Sequence, residues 1–319
     1  MTAYNAVTSR TNAQALIPEV VSNRIQGMVT TASAALSLFP HIPMGTAQTR
    51  LPILSALPVA AFVSPTDTGL KQTTSIAWSN KYLNVEEIAT IVPIPQSVLD
   101  DVSYDIWGAI EPLIAEAIGR TLDAAIFFGT NKPSTWGTDI TSGSAGVTGG
   151  ANSVTIGTAN AAAGGIATDI SNLMSKIEVE GFAPNGLVTD RITRAKFRNA
   201  RDTLGQKLLD VGPDGESIEG LPVQYAMPGL WPATTTGNVA AFVGDFSQGM
   251  LGVRQDITFK LLDQAVITDA SGLVVYNLAQ QDMVAMRVVS RYAWEIANTI
   301  NRSQTVAANR FPFGTLLYA

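Results

Sequence analysis

Between residues 104 and 129 the apolar positions recur with a helical period. Ile106, Ile110, Leu113, Ile114, Ala117, Ile118, Ala125 and Ile126 fall on one side, and Asp105, Pro112, Glu116, Arg120 and Asp123 on the other. The spacing predicts one amphipathic rod of about 36 Å, capped by Ser103, laced by a Glu116/Arg120 pair and stopped by Gly129. Pro112 would press on the carbonyl of Gly108, the residue best able to bend, so the expectation is a kinked but continuous helix.

Alternating patterns flank this rod. "TRLPIL" (49 to 54) and "KYLNVEEIATIVPIP" (81 to 95) predict two strands, and the Pro-, Gly- and Thr-containing stretch between them predicts an extended hairpin loop. "PQSVLDD" predicts a short helical turn. Upstream, residues 1 to about 15 are polar and unpatterned, an extended arm, and "PEVVSNRIQGMVTTASAALSLF" (18 to 39) predicts a short helix with an Ala/Ser-rich continuation. Residues 137 to 165 are rich in Gly, Ser and Thr and predict a surface loop or small hairpin.

After that tract the pattern becomes α/β. A helix opened by Thr168, the strand "GLVTD", a helix opened by Asp190, the strand "LPVQYA" and the buried strand "NVAAFVGDF" follow in order. "MLGVRQDITFKLLDQ", "LVVYNLAQQ" and "DMVAMRVVSRYAWEIAN" then predict further strands. The order fits an α+β chain in which a middle α/β domain is inserted into an outer domain.

Composition narrows the function. Of 319 residues 46% are apolar and only 14% charged, against about 25% charged in ordinary soluble domains. That deficit implies surface covered by other copies of the chain. A net charge of −6 argues against a surface built to grip phosphates. The densest cations, Arg191, Arg194, Lys196, Arg198 and Arg201, spread around their helix and predict a solvated or intersubunit face. There are no cysteines, no signal-peptide pattern and no run of about 18 apolar residues, so the expectation is a soluble protein made in a cytoplasm, with no membrane partner.

Catalytic constellations are scarce. His41 stands between two prolines with no acid beside it and is expected to be a loop residue. Glu86 and Glu87 are adjacent on a strand and point to opposite faces, so they cannot act as an acid/base pair. Asp100 and Asp101 favour a helix N-terminus. "GSAGVTGGANS" matches no nucleotide-binding loop, and "GDFSQG" lacks the first glycine of a nucleophile elbow. No catalytic, cofactor-binding or metal-ligating residue is assigned, no cofactor is expected, and the chain reads as a non-enzyme.

The order of elements resembles the major capsid proteins of tailed bacteriophages, the Hong Kong 97-like fold, from about residue 16 to the C-terminus. The resemblance is carried by "EEIATIVPIPQSVLDD" leading into the long helix, its end at "DAAIFFG", then "GLVTDRITRAKFRNARD", "GLPVQYA", "FVGDFSQGMLGVRQDITFKL" and "MVAMRVVSRYAWEI". It implies an N-terminal arm (1–30), an extended β-hairpin loop (50–90), a spine helix (104–128), an axial α/β domain (140–240) and a peripheral domain formed by 31–139 and 241–319. The implied function is a structural protein that assembles with itself into the pentamers and hexamers of an icosahedral head, enclosing double-stranded DNA without reading its sequence.

Residues 1 to about 30 already resemble the arm, so the resemblance implies a separate scaffolding protein if one is needed, with portal and decoration proteins as further partners. It places the protein in the virion capsid after assembly in the host bacterial cytoplasm. Some members weld subunits by a Lys–Asn bond with a catalytic Glu; here those positions fall at Thr68, Asp282 and near Val289, so no such cross-link is expected despite nearby Lys71. The alternatives are an encapsulin-like nanocompartment shell with the same fold, and an unrelated α/β enzyme.

Overall fold

From Ser33 the chain forms α1 (Ala34–Leu38), β1 (His41–Pro43), β2 (Gln48–Ala56), β3 (Ala77–Asn84), β4 (Glu86–Pro95), α2 (Gln96–Asp101), the long helix α3 (Ile106–Phe128) and α4 (Ile140–Ala145). It continues through β5 (Ser153–Thr155), α5 (Gly165–Val179), β6 (Gly186–Thr189), α6 (Arg191–Asn199), β7 (Ser217–Ile218), β8 (Leu221–Tyr225) and β9 (Val239–Gly244). The last elements are β10 (Gly249–Leu262), β11 (Val266–Thr268), β12 (Val274–Asn277), α7 (Leu278–Gln281), β13 (Met283–Ile296) and β14 (Phe313–Leu317). The computed structural model describes residues 33–63, 71, 73–101, 106–207, 209, 217–227, 229–232, 235 and 237–319. The expected arm (1–30), the Ser103 cap and Thr68 lie outside these.

Two sheets carry the fold. A four-stranded sheet runs β1-β10-β13-β4, and a six-stranded sheet runs β5-β14-β9-β6-β8-β7. β10, β13 and β4 are long antiparallel strands, while β1 joins in parallel; one face of this sheet is buried in the core, and central β13 is buried along most of its length. α3 packs against that buried face: Ile114, Ile118 and Leu122 share one core with Met286, Val288 and Tyr292. A second core lies between the six-stranded sheet and its outer helices, where Ile170, Leu173 and Ile177 of α5 and Phe197 of α6 meet Leu187, Ala241 and Leu316.

Several expectations hold. α3 is continuous through Pro112. It ends where Gly129 takes φ 68°, with the Thr130 N–H donating to the Ala124 carbonyl and closing the last turn. Glu116 accepts from Arg120 at 3.0 Å. Asp190 caps α6 by accepting from the Thr193 N–H at 2.7 Å.

Others are corrected. Asp123 and Glu116, placed on the solvent side by periodicity, are buried at 0% and 7% exposure. The stretch from 81 to 95 is two strands in different sheets: β3 pairs with β2 in a separate two-stranded sheet, while β4 pairs with β13. The Gly/Ser/Thr tract is ordered structure. It holds α4, capped by Asp139, and the strand β5, because buried Ile140, Ser144 and Val154 anchor it to β14. Thr168 does not open α5, which begins at Gly165; its hydroxyl donates back to the Ala163 carbonyl. His41 lies on strand β1 rather than in a loop, exposed beside Leu251. "LVVYNLAQQ" is a strand followed by the short helix α7.

The split at residue 240 does not follow the sheets. Most of β9 and all of β14 lie beyond it, yet both are central strands of the six-stranded sheet. The reason is local: β9 is buried at every position and β14 at all but its last, and each can satisfy its backbone only between two other strands.

Candidate functional site

The surface, not a cleft, carries the unusual chemistry. Apolar side chains stand exposed on two projecting hairpins: Val59, Phe62, Ile76, Trp78 and Tyr82 on β2–β3 and its loop, and Val266, Leu273, Val274 and Val275 on β11–β12. Phe62 and Trp78 are 107% and 64% exposed. Rings left in water on extended structures mark sites for a protein partner.

The β2–β3 hairpin is held at its base in a defined direction. Lys81 reaches Glu295 of β13 at 2.9 Å, Asn84 donates to the Thr135 carbonyl at 2.9 Å, and the Trp136 indole donates to the Asn84 carbonyl at 3.1 Å. Farther out, Arg302 donates to the Pro58 carbonyl at 3.0 Å. A hairpin fastened this way loses less conformational freedom when its apolar residues are covered.

Inside, charged groups serve as fasteners. Asp123 Oδ1 accepts from the Ser33 hydroxyl (2.5 Å) and the Ala35 N–H (3.0 Å), while Oδ2 accepts from the Ala34 N–H (3.0 Å), so α1 is tied to α3. Burial pushes the Asp123 carboxyl up, against the pull of these hydrogen bonds. Glu180 accepts from Asn152 and from the Phe311 N–H; burial raises it too, with Asn152, the Phe311 N–H and Lys176 opposing. Arg310 is surrounded by the carbonyls of Asn298, Thr299, Gln304 and Thr305, and burial lowers its pKa. The Tyr292 phenol, deep in the core, is pushed to about 12, first by burial.

None of the residues considered for chemistry converge. Glu86 accepts the Thr135 hydroxyl and Glu87 pairs with Arg291 at 2.7 Å. Asp100 accepts from Gln96 one turn back. Ser247 of "GDFSQG" donates to Asp245, which caps a tight turn. Among the described residues no group of three His, Cys, Asp or Glu side chains is arranged to hold a metal. Asp282 is exposed in a left-handed turn after α7, and Val289 is buried in β13.

Sequence reasoning missed the exposed rings of the hairpins and the buried ties. The signal for the first was present in Trp78 and Tyr82, which alternate on a strand with few other apolar positions. For Asp123 no local signal exists, because its partners lie 88 to 90 residues away.

Comparison with known proteins agrees with this surface-centred picture. The model of the phage capsid family matches residues 13–299. A curated "Major capsid protein" of Staphylococcus phage 80alpha is 24% identical over 246 residues, covering 75% of this chain and 69% of the relative. A solved structure from Microbacterium phage Oxtober96 is 33% identical with a TM-score of 0.84, covering 98% of this chain and 100% of the other. One from Mycobacterium phage Adephagia is 30% identical with a TM-score of 0.85, covering 98% and 99%. The capsid of an empty GTA particle, at 17% identity and a TM-score of 0.67, shares the fold.

Proposed function

Since this chain belongs to the phage capsid family and is a phage major capsid protein, we propose that it joins copies of itself into the pentamers and hexamers of an icosahedral head around double-stranded DNA. It is a structural protein and not an enzyme. The observation that carries the proposal is the match over residues 13–299, joined to a structural likeness that spans 98% of the chain. The encapsulin-like alternative is not favoured by this match.

In this reading the four-stranded sheet with α3 as spine is the peripheral part and the six-stranded sheet the axial part. The two hairpins reach neighbouring copies, so that many modest contacts sum over the shell. The acidic balance of the chain leaves the DNA loosely held. A separate scaffolding protein, a portal and decoration proteins are the partners expected with it, and assembly takes place in the host bacterial cytoplasm. No membrane partner is included; among the described residues no helix is long and apolar enough to cross a membrane.

The test is electron microscopy of the purified chain, expressed alone and with a candidate scaffolding protein. Closed particles are expected; a chain that stays monomeric under every assembly condition would sink the reading. Denaturing gels of those particles should show a single subunit band. The family resemblance puts the positions of the welding Asn and Glu at Asp282 and near Val289, and a valine cannot act as the base. A ladder of covalent multimers would contradict this.

A further inference from the structure

The layer of helices outside the six-stranded sheet leaves one surface whose chemistry the fold does not use. α6 turns Arg191, Ile192, Lys196 and Arg198 to solvent, Ile192 being 61% exposed. Part of this charge is committed locally: Lys196 lies 4.2 Å from the Tyr318 ring centre, and Arg201 donates to the Arg198 and Ala200 carbonyls at the helix end. Arg191 and Arg198 make no side-chain hydrogen bond or ion pair among the described residues.

Beside them lies an open groove of about 560 Å³, lined on one side by Ile156, Ala161 and Ile166 and on the other by Ile192, Ala195 and Arg201. Its first wall is built in advance. The buried Asp169 carboxylate accepts from the Gly157 N–H at 2.7 Å and the Ala159 N–H at 2.8 Å, and Asn160 accepts from the Ala163 N–H. A preformed apolar groove needs little ordering to accept a partner.

The charge balance indicates which partner. Residues 191–207 hold six cations and one acid, a net of +5, whereas the rest of the chain holds 14 cations and 25 acids, a net of −11. The remainder of every other copy therefore carries the opposite net charge to this segment, and low overall charge supplies the apolar area to fill the groove. A phosphate backbone would answer the arginines and leave the groove empty.

We propose that the α5–α6 groove and the exposed face of α6 are the contact through which each copy binds the next copy of the chain around a capsomer ring. The inference rests on the shell reading above. A contact between unlike patches of identical subunits gives a ring when the rotation between neighbours closes, and pentamers and hexamers are such rings.

The test uses the full chain, with its scaffold if the wild type needs one, in three forms: wild type, Ile192→Asp, and Arg191→Glu with Arg198→Glu. Light scattering and electron microscopy give the concentration at which particles form, and circular dichroism of the dissociated chains checks folding. The wild type should assemble, and each variant should need roughly tenfold more protein while melting at the wild-type temperature. If Ile192→Asp melts lower, Ile192→Ser replaces it, since the exposed site tolerates a small polar residue. Variants that assemble at the wild-type concentration would overturn the contact and leave the shell reading standing. Normal assembly with less enclosed nucleic acid would also overturn it, assigning the face to nucleic acid instead. A wild type that never assembles fails the shell reading itself, and the contact with it.

Discussion

Asp123→Ala detaches α1 from the long helix and lowers the unfolding free energy of the dissociated chain by about 3–5 kcal/mol. The substitution leaves the Ser33 hydroxyl and the Ala34 and Ala35 N–H groups facing a cavity where a carboxylate stood. Each buried donor left without a partner costs roughly 1–3 kcal/mol, and the total is reduced because the burial cost of the carboxylate disappears with it. α1 has five residues, too few to hold a helix unaided. Urea unfolding reads the loss, and hydrogen exchange at Ala34–Leu38 should accelerate more than in α5. Asp123→Asn keeps the shape and one acceptor oxygen, so about half the loss is expected. Wild-type exchange in α1 of the alanine variant would defeat the argument.

The same carboxyl sets a pH dependence of unusual sign. Burial raises it above its ordinary value of 3.8, so the native chain binds the proton more tightly than the unfolded chain. Its contribution to stability is therefore greatest below 3.8 and declines as pH rises through the folded value. The gap between wild type and Asp123→Ala should narrow over that interval.

What could be read in the sequence were features whose physics is local. The continuous length of α3, its glycine stop, the Glu116/Arg120 pair and the Asp190 cap need only neighbours within a few residues, and all are present. Strands rich in apolar residues, β9, β10 and β13, were visible for the same reason, as was β4 within a longer predicted strand. Features decided by distant partners were not. "KYLNVEEIATIVPIP" reads as one strand-like run, and nothing in its composition reports that the chain changes sheets at Val85. β14 reads as a short stretch with a glycine and a threonine; it becomes a central strand only because β9 and β5 flank it. The tract around β5 looks unstructured by composition, yet Asp139, Asn152 and Asn160 supply hydrogen bonds that apolar counting cannot register. The assembly surfaces were legible as a shortage of charge and a long hairpin, but the groove beside α6 was not, since its two walls are joined only by tertiary structure.

Phe39→Ala costs about 3–5 kcal/mol and loosens the joint between the two sheets. The ring follows α1 directly, is 4% exposed, and sits with its centre 4.7 Å from Trp294, 5.4 Å from Phe246 and 6.1 Å from Phe127 and Phe313. These partners come from β13, the turn after β9, α3 and β14, so one side chain touches the four-stranded sheet, the spine and the six-stranded sheet. Tilted and edge-on contacts of this kind add about 0.5–1.5 kcal/mol each beyond area burial. Gly249 gives an internal check, because a methyl group there would lie 2.3 Å from the Phe39 ring and 2.8 Å from Trp294. Gly249→Ala should destabilise the wild type by about 1–3 kcal/mol through overpacking. In the Phe39→Ala background the methyl finds space against one of its two neighbours, and the added cost should fall by at least about 1 kcal/mol. Unfolding of the four chains in urea measures that coupling; strictly additive losses would mean that Phe39 does not fill the space facing Gly249.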